Sequence, residues 1–217
     1  MRQMTKKRSD LNDEWKERTA RYGELLNFDS QHPSVDQKVL PIVLGWRPAI
    51  NRKGLGLFSR KSGACKTRMI WQLIRDLHFS GVRWEATTAT EIGHLYGSTF
   101  EARAAAEYRV ERLCRVPLIF IDDLGMERRG TEIDAIAERI HHIVDARYAS
   151  GLPLIWSCNK EPKELAAHLG ERGAYTVRRL YDATTVFEVV RGRGAQIPKK
   201  TGENSQMGCS LKRVVTR

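Results

Sequence analysis

The stretch Gly54–Leu77, GLGLFSRKSGACKTRMIWQLIRDL, decides the fold of this 217-residue chain. It begins with a short apolar run bounded by glycine and polar residues, which is typical of a buried strand and too short for a helix. It ends with apolar residues at helical spacing, namely Met69, Ile70, Leu73, Ile74 and Leu77. The stretch therefore predicts a strand, a loop and a helix in direct succession.

The loop of this unit, residues 60–67, partly follows the phosphate-binding pattern GxxxxGK[ST]. In such a loop, free backbone N–H groups at the helix start and the lysine bind phosphates, and the hydroxyl binds Mg²⁺. Gly63, Lys66 and Thr67 are in place, but Arg60 and Cys65 stand where the pattern has glycines. A chance basic loop is the alternative. We predict that ATP contacts the residues of this loop, which are Ser62, Gly63, Ala64, Cys65, Lys66, Thr67 and Arg68.

The energetic cost of a cysteine at position 65 depends on the backbone conformation there. If the position needs a positive φ, the side chain adds about 1–3 kcal/mol of strain, whereas at negative φ it fits at little cost. Arg60 adds a positive charge at the loop entrance. We therefore expect weakened but measurable ATP binding, and about tenfold tighter binding in Cys65→Gly if strain is the cause.

Cys65 also lies at a predicted helix start beside Lys66, a setting that lowers a thiol pKa and favours oxidation. A redox switch is one interpretation, and an inert small residue in the glycine position is the plainer one.

A second element follows the apolar run Leu118–Ile121, which delivers Asp122 and Asp123 to the end of a predicted strand. Ligands of open α/β folds bind beyond the carboxyl ends of the strands. We predict that Asp122, with Thr67, holds Mg²⁺, and that Asp123 orients or deprotonates the attacking water. An aspartate pair capping a turn is the alternative.

Two further features are compatible with phosphoryl transfer. Asn159 ends the apolar run LIWSC, where an amide can position the lytic water. Arg172, Arg178 and Arg179 form a cluster from which an arginine finger could come, although a solvated basic helix explains any one of them equally well.

The rest of the chain alternates strand-like and helix-like segments, which predicts a three-layer α/β domain with a mainly parallel sheet. Residues 1–50 are predicted as a short helical segment with Ser34 as a candidate N-cap, residues 51–194 as the ATP-binding domain, and residues 195–217 as a flexible basic tail. The segment VRWEATTAT, residues 82–90, is predicted as a second strand that enters a turn.

Composition narrows the function classes. Four separated cysteines without nearby histidines suggest neither a zinc site nor a disulfide framework, and no stretch reaches the length of a membrane span. We expect a cytoplasmic protein without membrane contact. The net charge of +11 makes nucleic acid a plausible partner, although charge alone also serves solubility.

Four segments, in order, carry a resemblance to a known family: GLGLFSRKSGACKTR, LIFIDDLG, IVDARYASGLPLIWSCN and KELAAHLGERGAYTVRRL. The sequence resembles the DnaC-type replicative helicase loaders and their IstB-type relatives among the AAA+ ATPases, from about Gly54 to Val190. The resemblance implies a P-loop AAA+ fold, phosphate binding by Lys66 and magnesium binding by Thr67. It also implies roles for the acids Asp122 and Asp123 and for Asn159 as sensor.

The resemblance further implies an arginine finger, best placed at Arg179 with Arg172 or Arg178 as alternatives, and a sensor arginine at Arg191. It implies a homo-oligomer, single-stranded DNA and a replicative helicase as partners. We therefore expect an ATPase, slowed by its altered loop, that loads a helicase in DNA replication. The alternatives are an IstB-like ATPase that serves a transposase, and a nucleotide- or DNA-binding module that hydrolyses ATP weakly or not at all.

Overall fold

A computed structural model describes residues 7–51, 53–94, 100–126 and 133–191 of the chain. The basic tail predicted for residues 195–217 lies outside this part. The helices are α1 (Arg8–Thr19), α2 (Leu40–Gly45), α3 (Lys66–Phe79), α4 (Ala89–His94), α5 (Phe100–Arg115), α6 (Ile133–Ser150), α7 (Pro162–His168) and α8 (Gly173–Ala183), with a 3₁₀ segment at Ala20–Leu26. The strands are β1 (Gly54–Phe58), β2 (Trp84–Thr88), β3 (Leu118–Leu124), β4 (Leu154–Cys158) and β5 (Thr184–Glu188).

The five strands form one parallel sheet in the order β2-β3-β4-β1-β5. Since parallel strands all point the same way, the loop after β1 and the acids at the end of β3 come to the same edge as the end of β4. The ladder between β3 and β4 is irregular between Ile121 and Leu124, at the position of the two acids.

Alternate residues of the strands enter two separate cores, one on each face of the sheet. Leu118 and Phe120 pack with α2 and α3, whereas Ile119 and Ile121 pack with α4, α6 and α8. Both faces are covered by helices, which explains why the strands are continuously apolar. The predicted three-layer α/β fold is confirmed.

The segment before β1 is packed on one of these cores. The ring of Tyr22 lies 4.3 Å from that of Trp71 on α3, and the ring of Trp15 lies 5.7 Å from that of Trp84 on β2. Residues 7–51 therefore share a hydrophobic core with the sheet. The division at residue 50 stays a prediction about the chain, but no separate core is found for the described residues before it.

The predicted serine cap in this segment is not formed. The helix α2 begins only at Leu40, and the carboxylate of Asp36 accepts hydrogen bonds from the backbone N–H groups of Lys38 (3.0 Å) and Val39 (3.3 Å). The other oxygen of Asp36 accepts from the N–H of Val190, 3.0 Å away, and so ties the segment to the residues after β5.

Close packing of Trp156 on β4 against β1 explains why position 56 is a glycine. A Cβ atom at Gly56 would lie 2.5 Å from the indole ring of Trp156 on β4. Trp156 is 1% exposed, and its indole N–H donates to the Thr184 hydroxyl, 3.1 Å away. Gly56 therefore makes room for the largest side chain of the buried layer.

Among the described residues, no helix combines the length and the apolar character that crossing a membrane requires.

Candidate nucleotide site

The loop between β1 and α3 has the backbone expected of a ligand-binding turn. Gly63 has φ 80°, and Cys65, the residue before α3, has φ 55° and ψ 18°. The left-handed conformation is rarely adopted by residues other than glycine. Of the two possibilities for position 65, the strained one is therefore the one the structure shows.

Lys66 is the first residue of α3 and is buried, with 6% of its surface exposed. Its ammonium group donates to Oδ1 of Asn159 over 2.6 Å. Burial lowers the pKa of Lys66, while the nearby charges of Asp123 and Asp122 act in the opposite direction. The loop lysine and the predicted sensor amide are thus in direct contact.

Thr67 connects the same helix to the acidic strand. Its hydroxyl donates to Oδ1 of Asp122 over 2.9 Å. Asp122 is 7% exposed, and burial is the main reason why its pKa is raised. The Ser157 hydroxyl from β4 donates to the same oxygen.

Asp123 completes the arrangement. Its φ of 54° is the second positive value among the described non-glycine residues. Its backbone N–H donates to the Ser157 oxygen over 3.0 Å, and its Oδ1 lies 3.4 Å from Nδ2 of Asn159. Through Ser157, one connected polar network therefore brings together the predicted site residues Lys66, Thr67, Asp122, Asp123 and Asn159.

Ser157 is the member of this network that the sequence analysis missed. It is fully buried, and its one hydroxyl both donates to Asp122 and accepts from the backbone of Asp123. A signal was available: Ser157 precedes Asn159 by two residues, and residues two apart on a strand point to the same side.

The donor set fits Mg²⁺. Thr67 and Asp122 offer hard oxygen atoms, and Mg²⁺ is commonly held by one or two such side chains together with substrate phosphates. The described residues contain no group of three or more histidine, cysteine or acidic side chains that could hold a metal alone. The site thus suits an ion that arrives with a nucleotide, where it would neutralise phosphate charge.

The remaining loop residues have different surroundings. Ala64 is buried, with 1% exposed, whereas Ser62 and Gly63 are exposed and Arg68 is half-buried. Arg60 lies 2.9 Å from Glu161 and 3.7 Å from Glu188, so two carboxylates hold its charge.

The thiol of Cys65 differs from expectation. Burial raises its pKa, and this effect outweighs the positive charges of Arg68, Arg191 and Lys66. The direction is opposite to that of a reactive thiol, because partial burial penalises the thiolate more than the neighbouring cations favour it, and it supports the plainer interpretation of an inert small residue.

The predicted finger, Arg179, lies on α8 and is held within its own chain. Its guanidinium carbon is 4.2 Å from the ring centre of Tyr148 and 4.8 Å from that of Tyr175. Its Nε lies 3.4 Å from Asp145, and Nη2 donates to the Tyr175 hydroxyl.

The alternatives to Arg179 are more exposed. Arg172 pairs with Glu138 over 3.2 Å, and Arg178 lies 5.3 Å from the ring centre of Tyr175. The contacts described for these arginines lie on α6 and α8, apart from the loop and the acidic strand. Arg191, by contrast, donates to the Ser34 hydroxyl over 3.3 Å, and its charge influences Cys65.

Comparison with known proteins gives similarity in structure only. No protein-family model and no curated protein matches the chain by sequence. Solved structures with a similar fold include the following three. DnaI is 20% identical over 71% of this chain and 82% of its own, with a TM-score of 0.57. A DnaC helicase loader is 16% identical over 76% and 95%, with a TM-score of 0.56.

The third is the replication initiator DnaA bound to AMPPCP and single-stranded DNA, which is 16% identical over 76% of this chain and 49% of its own, with a TM-score of 0.57. Identities this low establish the fold alone. The chain therefore has the same three-layer α/β fold, with a parallel sheet between helices, as DnaI, the DnaC helicase loader and DnaA.

Proposed function

We propose that this protein is an ATPase that acts in DNA replication as a loader of a replicative helicase. The observation that carries the ATPase part is the network at the carboxyl edge of the sheet. It joins Lys66 to Asn159 and Thr67 to Asp122, so the groups that bind phosphate and magnesium in P-loop proteins are already next to the acids.

The chemistry follows from these positions. Lys66 would transfer its hydrogen bond from Asn159 to the outer phosphates, which frees the amide of Asn159 to hold a water together with Asp123. The backbone N–H groups at the start of α3 would take the remaining phosphate charge. Such a site favours in-line attack by water on a terminal phosphate.

The test of the ATPase is phosphate release by the wild type, Lys66→Ala and Asp123→Asn. Both variants should lose at least about 100-fold in rate, since each removes a group that acts on the transition state. Lys61→Ala is the matched control, because Lys61 is an exposed lysine of the same loop. Equal rates in the wild type and Lys66→Ala would contradict the proposal.

Assembly can be tested by mixing two inactive variants. If a finger acts on a neighbouring subunit, Lys66→Ala and Arg179→Ala should restore activity when mixed, because one supplies the finger and the other the intact loop. The same mixture with Arg178→Ala or Arg172→Ala identifies which of the three arginines is the finger. If no mixture recovers activity, an arginine finger that acts on a neighbouring subunit is excluded for these three arginines.

The loader role is tested with a ring-shaped replicative helicase and single-stranded DNA. ATP-dependent transfer of the ring onto closed circular single-stranded DNA is the expected result. Recovery of a transposase and no helicase in a pull-down would favour the IstB-like alternative.

A second candidate is a nucleotide-binding module without turnover, and the left-handed Cys65 favours it, because a Cβ replaces hydrogen in a loop whose backbone must approach phosphate. Weakened but measurable binding of ATP, with no phosphate release above the Lys66→Ala background, would establish this candidate.

A further inference from the structure

A groove of about 510 Å³ runs along β2, the edge strand of the sheet, and is separate from the nucleotide site. Its walls come from the amino-terminal helical segment, β2, α4 and α5. Its charged lining residues are Arg18, Arg21, Arg109, Arg112, Glu85 and Glu91. None of the residues that line it belongs to the network of Lys66, Asp122 and Asn159.

The guanidinium groups are fixed by the protein itself. The carbonyl of Ala86 on β2 accepts from Arg21 (3.2 Å) and Arg109 (3.3 Å), and the carbonyl of Trp84 accepts from Arg18. The Arg18 guanidinium also lies 4.2 Å from the Trp84 ring centre. The arginines thus occupy the backbone groups of the edge strand that a further strand would otherwise use, and their positions are set before any ligand arrives.

The acids in the groove do not balance these cations. Glu85 is 6% exposed and is shared by Arg18 (3.4 Å), Arg109 (2.7 Å) and Arg112, while Glu91 pairs with Arg21 over 3.0 Å. Four guanidinium groups therefore face two carboxylates across the lining, and Arg18 also pairs with Glu14 over 3.4 Å, so the arginines exceed their acidic partners by one. The side chains of Arg21 and Arg112 remain half exposed, at 51% and 50%, and each guanidinium has five N–H donors.

We infer that this groove, defined by Arg18, Arg21, Arg109 and Arg112, binds the phosphodiester backbone of single-stranded nucleic acid. A guanidinium forks onto two phosphate oxygens, and all the cations of the groove are of this type. A groove of about 510 Å³ has room for a short segment of one strand, and the comparison of single strand with duplex below tests this assignment. The net charge of +11 draws a polyanion toward the protein from a distance.

The inference goes beyond the proposed ATPase and can fail separately from it, because the binding can be measured without nucleotide. The probe is a fluorescent oligothymidine, followed by anisotropy at several salt concentrations, with the full chain. The groove variant is Arg21→Ala/Arg112→Ala. The control is Arg75→Ala/Arg115→Ala, which removes the same charge from exposed positions of α3 and of α5 itself, outside the groove lining.

The groove variant should bind the oligothymidine about tenfold more weakly at roughly 0.1 M salt. Its salt slope should fall by up to about 1.4, because each neutralised phosphate of a single strand contributes ~0.7 to the slope. The control variant should bind less than about twofold more weakly than the wild type. Equal weakening in both variants would mean that only the overall charge attracts the probe, and would overturn the inference. An unchanged affinity of the groove variant, or tighter binding of duplex than of single strand by the wild type, would overturn it as well.

If the alanine variant unfolds at a lower temperature than the wild type, Arg21→Lys/Arg112→Lys replaces it in the test. This variant keeps the two positive charges and removes the guanidinium groups that bind two phosphate oxygens at once. It should bind about threefold more weakly than the wild type, and wild-type affinity in this variant would overturn the role of the arginines. Lys66→Ala should bind the probe like the wild type. This last result holds whether or not the protein hydrolyses ATP, and so keeps the two proposals apart.

Discussion

Lys66 on α3 and Arg147 on α6 are both buried cations, with 6% and 0% of their surfaces exposed, but they lie at opposite ends of the strands of the sheet. Lys66 lies at the carboxyl end and contacts a side-chain amide. Arg147 lies at the amino end, where its guanidinium donates to backbone carbonyls just before β3 and β4. These carbonyls are those of Leu113 (2.9 Å), Val116 (2.8 Å), Pro117 (3.3 Å) and Pro153 (2.6 Å).

The different partners of the two cations indicate that the charge of Lys66 is functional and that the charge of Arg147 is structural. The amide of Asn159 can rotate away and release Lys66 to a ligand, but a carbonyl that begins a strand cannot move without the strand. Burial lowers the pKa of Lys66 and lowers that of Arg147 to about 10, so Arg147 still carries its charge at neutral pH. We therefore expect changes at the amino end to cost stability, and changes at the carboxyl end to cost activity.

The largest effect is expected at the amino end. Arg147→Met keeps most of the packing volume but leaves four carbonyls without their donor, so the free energy of unfolding should fall by about 3 kcal/mol or more. Urea unfolding measures this, with the exposed Arg75→Met as control, for which a change within about 0.5 kcal/mol is expected. A loss below about 1 kcal/mol for Arg147→Met would break the comparison.

The sequence predicted the sheet and the acidic strand well, because a strand buried on both faces leaves a continuous apolar run such as Leu118–Ile121. It also placed Lys66, Thr67, Asp122, Asp123 and Asn159 at one edge, since parallel strands share a direction. Helix α4 was missed although Thr88 and Glu91 form a reciprocal cap, with bonds of 2.9 and 3.1 Å, because the residues after β2 were interpreted as a turn.

Other features could not be predicted because they depend on contacts distant in sequence. The φ of Cys65 is set by the loop as a whole, and two partners of Arg179, Asp145 and Tyr148, come from α6. The raised pKa of the Cys65 thiol follows from burial, which a local pattern does not reveal. The same holds for the four carbonyls around Arg147, which lie up to 34 residues away.

The second-largest effect is expected at Ser157, which holds Asp122 and Asp123 in place at the carboxyl end of the sheet. Ser157→Ala removes the hydroxyl that holds Asp122 and the backbone of Asp123, so phosphate release should fall about tenfold and half-maximal activity should need more Mg²⁺. Ser157→Thr keeps the hydroxyl and should keep most of the activity and the magnesium dependence. A fall in rate with an unchanged magnesium titration would make Ser157 a packing residue only.

The third effect contrasts directly with that of Arg147→Met. Lys66→Met removes a charge that burial disfavours, so the free energy of unfolding without nucleotide should stay the same or rise by up to about 1 kcal/mol. ATP should nevertheless no longer protect the variant against heat. A loss of stability comparable to that of Arg147→Met would show that Lys66 is equally structural.

The smallest effect is expected at Cys65. The folded loop holds φ 55° at this position, so the strain is a cost of folding, and the tenfold tightening of ATP that strain was expected to give in Cys65→Gly is revised to a smaller effect. A residue with a side chain loses about 1–2 kcal/mol of stability when its backbone is left-handed. Glycine avoids this strain, but its greater freedom in the unfolded chain offsets up to about 1 kcal/mol of the gain.

Cys65→Gly should therefore raise the free energy of unfolding by about 0.5 kcal/mol and change ATP affinity by less than about threefold. Cys65→Ala keeps the Cβ and should gain nothing, which isolates the backbone from the thiol. Tightening of ATP by tenfold or more in Cys65→Gly alone would mean that the Cβ itself meets the phosphates, and the carboxyl end would then be limited by contact with its ligand and not by its own strain.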